Sequence, residues 1–99
     1  MRLTPEQVAI IRQSTAANFG PEARVWLFGS RVDDNQRGGD VDLLVETAQD
    51  IQEPAWASAQ LAVQISRQLD DRSVDVLLSA PNLRQLAIHQ IARAEGILL

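Results

Sequence analysis

The strongest constraint on how this chain can fold is a pattern that occurs twice. Val41-Asp42-Leu43-Leu44-Val45 and Val74-Asp75-Val76-Leu77-Leu78 are both short and rich in β-branched residues. Each carries an aspartate followed two residues later by a leucine. Side chains alternate along a strand, so Val41, Leu43 and Val45 share one side while Asp40, Asp42 and Leu44 share the other. In the second run Val74, Val76 and Leu78 point one way, Asp75 and Leu77 the other. Between the runs, Glu53 to Leu69 carries a helical pattern through Trp56, Ala59, Ala62, Val63, Ile65 and Leu69. A helix of that length is a sufficient crossover for two parallel strands. Paired in register, they set Asp42 beside Asp75 and Leu44 beside Leu77.

The remaining elements follow from their punctuation. Thr4, Pro5 and Gln7 read as N-cap, first helical residue and capping-box partner of a first helix. Its stripe is Val8, Ile11, Thr15 and Phe19, and Gly20-Pro21 stops it. Arg24 to Phe28 reads as a strand that runs into a tight Gly29-Ser30 turn. Residues 31–39 form a polar loop ending in Gly38-Gly39, and Asp40 to Glu46 is the second strand. Ser73 to Leu78 is the third. A last helix is expected near Pro81–Ala94, capped by Ser79 or Asn82, with Leu83, Leu86, Ala87, Ile91 and Ala94 as its stripe. Gly96 ends it before an apolar tail, Ile97-Leu98-Leu99, that docks on the core. Trp56 is expected in the core as well. The order α-β-loop-β-α-β-α describes an α+β fold of α/β-like character, a small mixed sheet covered by helices. Residues 1–99 read as a single domain.

Composition narrows the chemistry. With no cysteine among 99 residues, disulfides, thiolate zinc sites and cysteine nucleophiles are excluded. The one histidine, His89, rules out a multi-histidine metal site; it falls outside the expected stripe and is assigned no function. All nine cations are arginine, so a lysine Schiff base and a P-loop lysine are excluded too. A net charge of −4 speaks against a nucleic-acid partner. No apolar run approaches the ~20 residues of a membrane span, and the N-terminal residues lack the pattern of a secretory signal, so no membrane association and a cytoplasmic location are expected.

Carboxylate is what remains. Asp40 and Asp42 have Cα atoms about 6.5–7 Å apart along a strand, and the register adds Asp75 to the same patch. Aspartates are disfavoured in strands and adjacent like charges repel. Either the acids point into water from an ordinary half-exposed strand, or a divalent cation offsets the repulsion. Oxygen-only ligation suits Mg²⁺ or Mn²⁺, and paired ions ~3.5–4 Å apart serve phosphoryl transfer. The Gly29-Ser30 turn adds backbone N–H groups and a hydroxyl suited to an anion, and Arg31 a guanidinium suited to phosphate.

Leu27-Phe28-Gly29-Ser30-Arg31, followed after Ser30 by Asp40-Val41-Asp42-Leu43-Leu44-Val45, resembles the signature of the DNA polymerase β-type nucleotidyltransferase superfamily. Size and the late Asp75 strand are similar to its minimal members, the MNT-type proteins of prokaryotic toxin–antitoxin pairs. The resemblance implies a polymerase β palm-like nucleotidyltransferase fold. It implies that Gly29, Ser30 and Arg31 hold a nucleoside triphosphate, and that Asp40, Asp42 and Asp75 are catalytic and ligate two Mg²⁺ ions, with Mn²⁺ as a substitute. The implied reaction transfers AMP from ATP to a hydroxyl of a partner protein, a HEPN-type toxin. The sequence departs from the common Gly-Ser-Arg-Ala-Arg-Gly form at Val32, Asp33 and Asp34. That acidic pair favours an alternative, a non-catalytic antitoxin that neutralises its partner by occlusion, while Arg37 in the same loop offsets the charge.

Overall fold

The computed structural model describes residues 3–29 and 41–99. Seven elements follow one another: α1 (Pro5–Phe19), β1 (Arg24–Phe28), β2 (Val41–Glu46), α2 (Pro54–Gln68), β3 (Val74–Ser79), α3 (Ala87–Glu95) and β4 (Ile97–Leu98). The strands form one mixed sheet in the order β3-β2-β1-β4. β1 is antiparallel to β2 and β4, whereas β2 and β3 are parallel. Ser30, Arg31 and Asp40, with the expected loop at 31–39, lie outside the described residues.

The alternation within the strands sorts the sheet into two faces. Val25, Leu27, Val41, Leu43 and Val45 join Ile11 of α1 and Leu61, Ile65 and Leu69 around α2 in the main core. On the reverse face Trp26 and Leu44 pack with Ala92 of α3, and Phe28 and Leu77 border them. Two helices therefore cover one face and a single short helix part of the other. β2 is inner and buried over most of its length, with only Asp42 and Glu46 partly exposed. Both of those lie on the reverse face.

The helix boundaries have local causes. The Thr4 hydroxyl accepts from the Gln7 backbone N–H at 3.1 Å, and the Gln7 side chain accepts from Thr4 N–H at 2.9 Å, the expected capping box. Gly20, at φ +94°, ends α1. The turn from α2 into β3 passes through Asp70 and Asp71, both at positive φ. The Ser66 hydroxyl donates to the Arg72 carbonyl at 2.6 Å there and clamps that turn.

Two sequence expectations are corrected and a third is refined. Trp56 is not in the core: it is 66% exposed, Val63 is exposed too, and the buried positions of α2 are Leu61 and Ile65. The inward stripe is a clean four-residue repeat through Ala57, Leu61, Ile65 and Leu69, so the helix is rotated from the expected phase. The last helix starts later, at Ala87, and Ser79 and Asn82 do not cap it. Ser79 ends β3, and the Asn82 side chain instead brackets the backbone of Ile51 with bonds of 2.9 and 2.7 Å. Its buried residues are His89 and Ala92, while Leu86, Ile88 and Ile91 of the expected stripe region are exposed. Finally, the apolar tail docks as expected, with Leu99 against the main core, and Ile97–Leu98 do so as a strand. β4 pairs with β1 through Trp26↔Leu98 and Leu27↔Ile97.

His89 explains the late start of α3. It is buried, its Nδ1 accepts from the Leu86 N–H at 3.0 Å, and its Nε2–H donates to the Leu78 carbonyl at 2.9 Å. The imidazole thus takes the part of the N3 side chain of a capping box, accepting from the N-cap backbone N–H, and ties the helix to β3. Farther along α3, Arg93 bonds Glu46 at 2.9 Å and the Ser79 hydroxyl at 2.7 Å while lying 6.0 Å from the centre of the Trp26 ring.

The phase of α2 is testable by paired truncations. Ile65→Ala is expected to lower unfolding free energy by about 2–5 kcal/mol in urea melts. Trp56→Ala, despite removing the larger side chain, should stay within roughly 0.5 kcal/mol of the parent. Equal losses would return Trp56 to the core.

Candidate functional site

The site lies where the reverse face is not covered by α3. Asp42 is the second residue of β2, and its neighbours in the ladder are Phe28 on β1 and Asp75 on β3. The in-register pairing Asp42↔Asp75, with Leu44↔Leu77 behind it, is the one expected from the repeated pattern. Both carboxylates are on the face opposite the main core, Asp42 partly buried and Asp75 exposed. Adjacent strands are ~4.8 Å apart. Two unit charges at about 5 Å repel by roughly 1–3 kcal/mol for effective dielectrics between 80 and 20. Burial of Val41, Leu43 and Val45 on the opposite side stabilises by roughly 1.5–3 kcal/mol each. The ladder therefore holds the two acids together against their repulsion.

Gly29 closes the site from β1. It follows the strand directly and has φ +74°, a conformation that side chains disfavour. A Cβ built there would overlap the Asp42 carboxylate, with the carboxyl carbon at 3.2 Å. The glycine at the turn is thus in contact with the catalytic candidate on the neighbouring strand. Two motifs separated in sequence meet at one point because β1 and β2 are antiparallel neighbours. Asp42 also makes an interaction beyond those with Phe28, Gly29 and Asp75 named here.

Of the six candidate residues, the structure brings Gly29, Asp42 and Asp75 together. Asp40, Ser30 and Arg31 fall outside the described residues. Among the described residues there is no group of three or more histidines, cysteines, aspartates or glutamates able to hold a metal ion. The Asp42–Asp75 pair nevertheless fits a hard divalent cation in donor type. Both ligands are carboxylates, both face one side, and no nitrogen or sulfur donor competes.

One relationship was legible in the strand alternation but not recognised. Glu46 and Ser79 lie four residues beyond Asp42 and Asp75 on the same face, and they form the opposite end of the sheet, taken up by Arg93. That end is tied to α3; among the described residues, Arg93 reaches Glu46 and Ser79 and not Asp42 or Asp75. A cleft of about 520 Å³ between α1 and the β1/β4 edge, lined in part by Arg12, Arg24 and Leu98, contains none of the candidate residues.

Contact between Gly29 and Asp42 should appear as energetic coupling. Gly29→Ala is expected to destabilise by about 1–2 kcal/mol from the backbone conformation alone, and further from the overlap. In an Asp42→Ala background the overlap disappears. A double-mutant cycle from chemical denaturation should give a coupling of about 1 kcal/mol. Additivity within roughly 0.3 kcal/mol would mean that the two residues do not touch.

Comparison with known proteins bears on the family and the fold. The nucleotidyltransferase domain family model matches residues 8–94, nearly the whole described core. Two crystal structures of mutants of the toxin–antitoxin MntA–HpeT share the fold. One superposes with a TM-score of 0.65 at 20% identity, over 97% of this chain and 72% of that one. The other gives 0.62 at 21% identity, over 98% and 71%. A search of curated protein sequences gives no match.

Proposed function

The chain belongs to the nucleotidyltransferase domain family, and on that premise we propose that it transfers AMP from ATP to a hydroxyl of a partner protein, acting as the antitoxin of a HEPN-type toxin. The observation that carries the reading is the in-register carboxylate pair, Asp42 and Asp75, in contact with the Gly29 turn. The fold shared with MntA–HpeT supports the antitoxin role, and an ATP-consuming reaction of this kind belongs in the cytoplasm.

Each residue has a separable task. Gly29, free of a side chain, lets the triphosphate approach the backbone, where its N–H and those of the following turn bind phosphate oxygens. Ser30 adds a hydroxyl donor, and Arg31 pairs with phosphate through its planar fork. Asp40, Asp42 and Asp75 supply oxygen ligands for Mg²⁺ or Mn²⁺. When bound, the metal neutralises triphosphate charge and acidifies the attacking hydroxyl. That hydroxyl oxygen forms a bond to the α-phosphorus in line with the departing pyrophosphate, and the α–β bridging P–O bond breaks. Asp75, the exposed member of the pair, takes the hydroxyl proton.

The acidic Asp33-Asp34 pair favours a second reading, an antitoxin that binds and occludes without transfer. One experiment separates the two. The protein is incubated with α-labelled ATP, Mg²⁺ and the purified protein encoded by the neighbouring gene. Transfer is expected to label that protein, and Asp42→Asn and Asp75→Asn should each reduce the rate at least ~100-fold while leaving unfolding midpoints close to the parent. Tight association with no label in any reaction would replace the enzyme by the occluding module. Label on an RNA end would overturn both.

A further inference from the structure

β3 is an outer strand of the sheet and pairs with β2 alone. The ladder joins Val41 N–H to the Ser73 carbonyl and Thr47 N–H to the Ser79 carbonyl, so the odd-numbered residues of β3 turn their backbone groups toward β2. Those of Val74 and Val76 therefore point outward, and among the described residues nothing bonds them. At Leu78 the outward carbonyl is taken by His89 Nε2–H. The free edge thus comprises the N–H and C=O of both valines and is closed at its C-terminal end by an imidazole. Such an edge is a template for another strand.

Two hollows follow this edge in succession, on the face where α2 packs. One, of about 300 Å³, lies between Ala55 and Ser58 of α2 and Val76 of β3. The other, of about 330 Å³, lies between Ala62 and Ser66 of α2 and Val74. Arg84 lines the first and Arg67 the second, both exposed and neither in an ion pair among the described residues. Asp71 is the one carboxylate that lines either hollow. On a chain of net charge −4, the seam therefore has a guanidinium at each end. Val74 and Leu78, beside the two arginines, are roughly 13 Å apart along the strand. Side chains at i and i+4 of an added strand share a face and span the same length. The free backbone thus calls for an extended segment, and the arginines for carboxylates at that spacing. A second copy of β3 fits less well, because antiparallel two-fold pairing sets the Arg67 end of one chain against the Arg84 end of the other.

We propose that the seam between α2 and the outer edge of β3 binds an extended acidic peptide segment, which adds to the sheet as a fifth strand. Its backbone pairs with Val74 and Val76, and alternate side chains enter the hollows. Carboxylates four residues apart on the segment meet Arg67 and Arg84. His89 marks where the added strand stops, because it already holds the Leu78 carbonyl. Val74 and Val76 pack toward the main core while Asp75 faces the other side, so the seam is separate from the carboxylate pair and does not rest on nucleotidyl transfer.

The test uses the full chain and two end-blocked heptapeptides, Thr-Glu-Thr-Val-Thr-Glu-Thr and Thr-Lys-Thr-Val-Thr-Lys-Thr, whose symmetric pattern serves either strand direction. The glutamate peptide is expected to bind saturably and at least tenfold tighter than the lysine peptide. Amide hydrogen exchange at Val74 and Val76 should slow in its presence, while Asp75 and Leu77, already in the ladder, should change little. The double variant Arg67→Glu/Arg84→Glu replaces exposed residues, so its unfolding midpoint should stay near the parent. It should reverse the preference between the two peptides. A parent chain that binds neither peptide, or both alike, overturns the proposal, and so does an unchanged preference in the double variant. Binding without protection of Val74 and Val76 overturns it as well, since the contact would then be ionic only. Protection of those amides without peptide, in a chain that sediments as a dimer, would make the edge a self-association surface and equally sink the peptide site. The exchange and peptide-swap measurements use the parent chain and decide the matter even if the double variant does not fold.

Discussion

Everything at the site depends on the parallel ladder between β2 and β3. Two strands with the same valine–aspartate–leucine order, joined through a helix, bring like charges together at a fixed height in the sheet. A one-residue slip would turn every valine of one strand outward and both carboxylates apart. The register is therefore enforced by burial on one face and expressed as chemistry on the other. Val41, Leu43 and Val45 are fully buried, and their burial outweighs the repulsion that Asp42 and Asp75 would otherwise relieve by separating.

The covering of the sheet is unequal, and the inequality makes the site. α1 and α2 seal one face. Among the described residues only α3 covers the reverse face, short and oblique, anchored at one end by a buried imidazole and along its length by the Arg93 network. Glu46 and Asp42 are chemically similar residues on the same strand and face. Glu46 is paired with Arg93 of α3, whereas Asp42 lies four residues away beside Gly29 and Asp75. The position of a single helix thus gives two similar acids on one strand different surroundings.

Much of this was legible in the residues. Strand alternation and spacing were enough to bring Asp42 beside Asp75, and Thr4, Gln7, Gly20 and Gly96 marked helix ends where the structure has them. What failed did so for identifiable reasons. The apolar residues of α2 occupy more than one face, so Trp56 and Val63 were drawn into a stripe that Ala57, Leu61, Ile65 and Leu69 fill better. In α3 the pattern was misread more deeply, because the inward residues are histidine, alanine and arginine and the isoleucines face out. Periodicity assumes that apolar means inside, and a folded chain still leaves much apolar surface exposed. The sequence placed the acids close to the Gly29-Ser30 turn, but the direct contact of Gly29 with Asp42 depends on the antiparallel pairing of β1 with β2 and not on any spacing along the chain.

The return of the chain as β4 has a mechanical consequence. Gly96 is wedged between the Ala92 carbonyl, the Leu27 carbonyl and Phe28, and the next residues are stitched to β1 through Ile97, Leu98 and the Leu99 N–H bonded to Val25. α3 therefore behaves as an arm clamped at both ends, to β3 by His89 and to β1 by this seam. A load applied to the arm has two exits, and the second runs along β1 to the glycine resting against Asp42. The seam meets β1 at Leu27 and Phe28, directly before that glycine, so a displacement of the arm reaches the Asp42 contact over one or two residues.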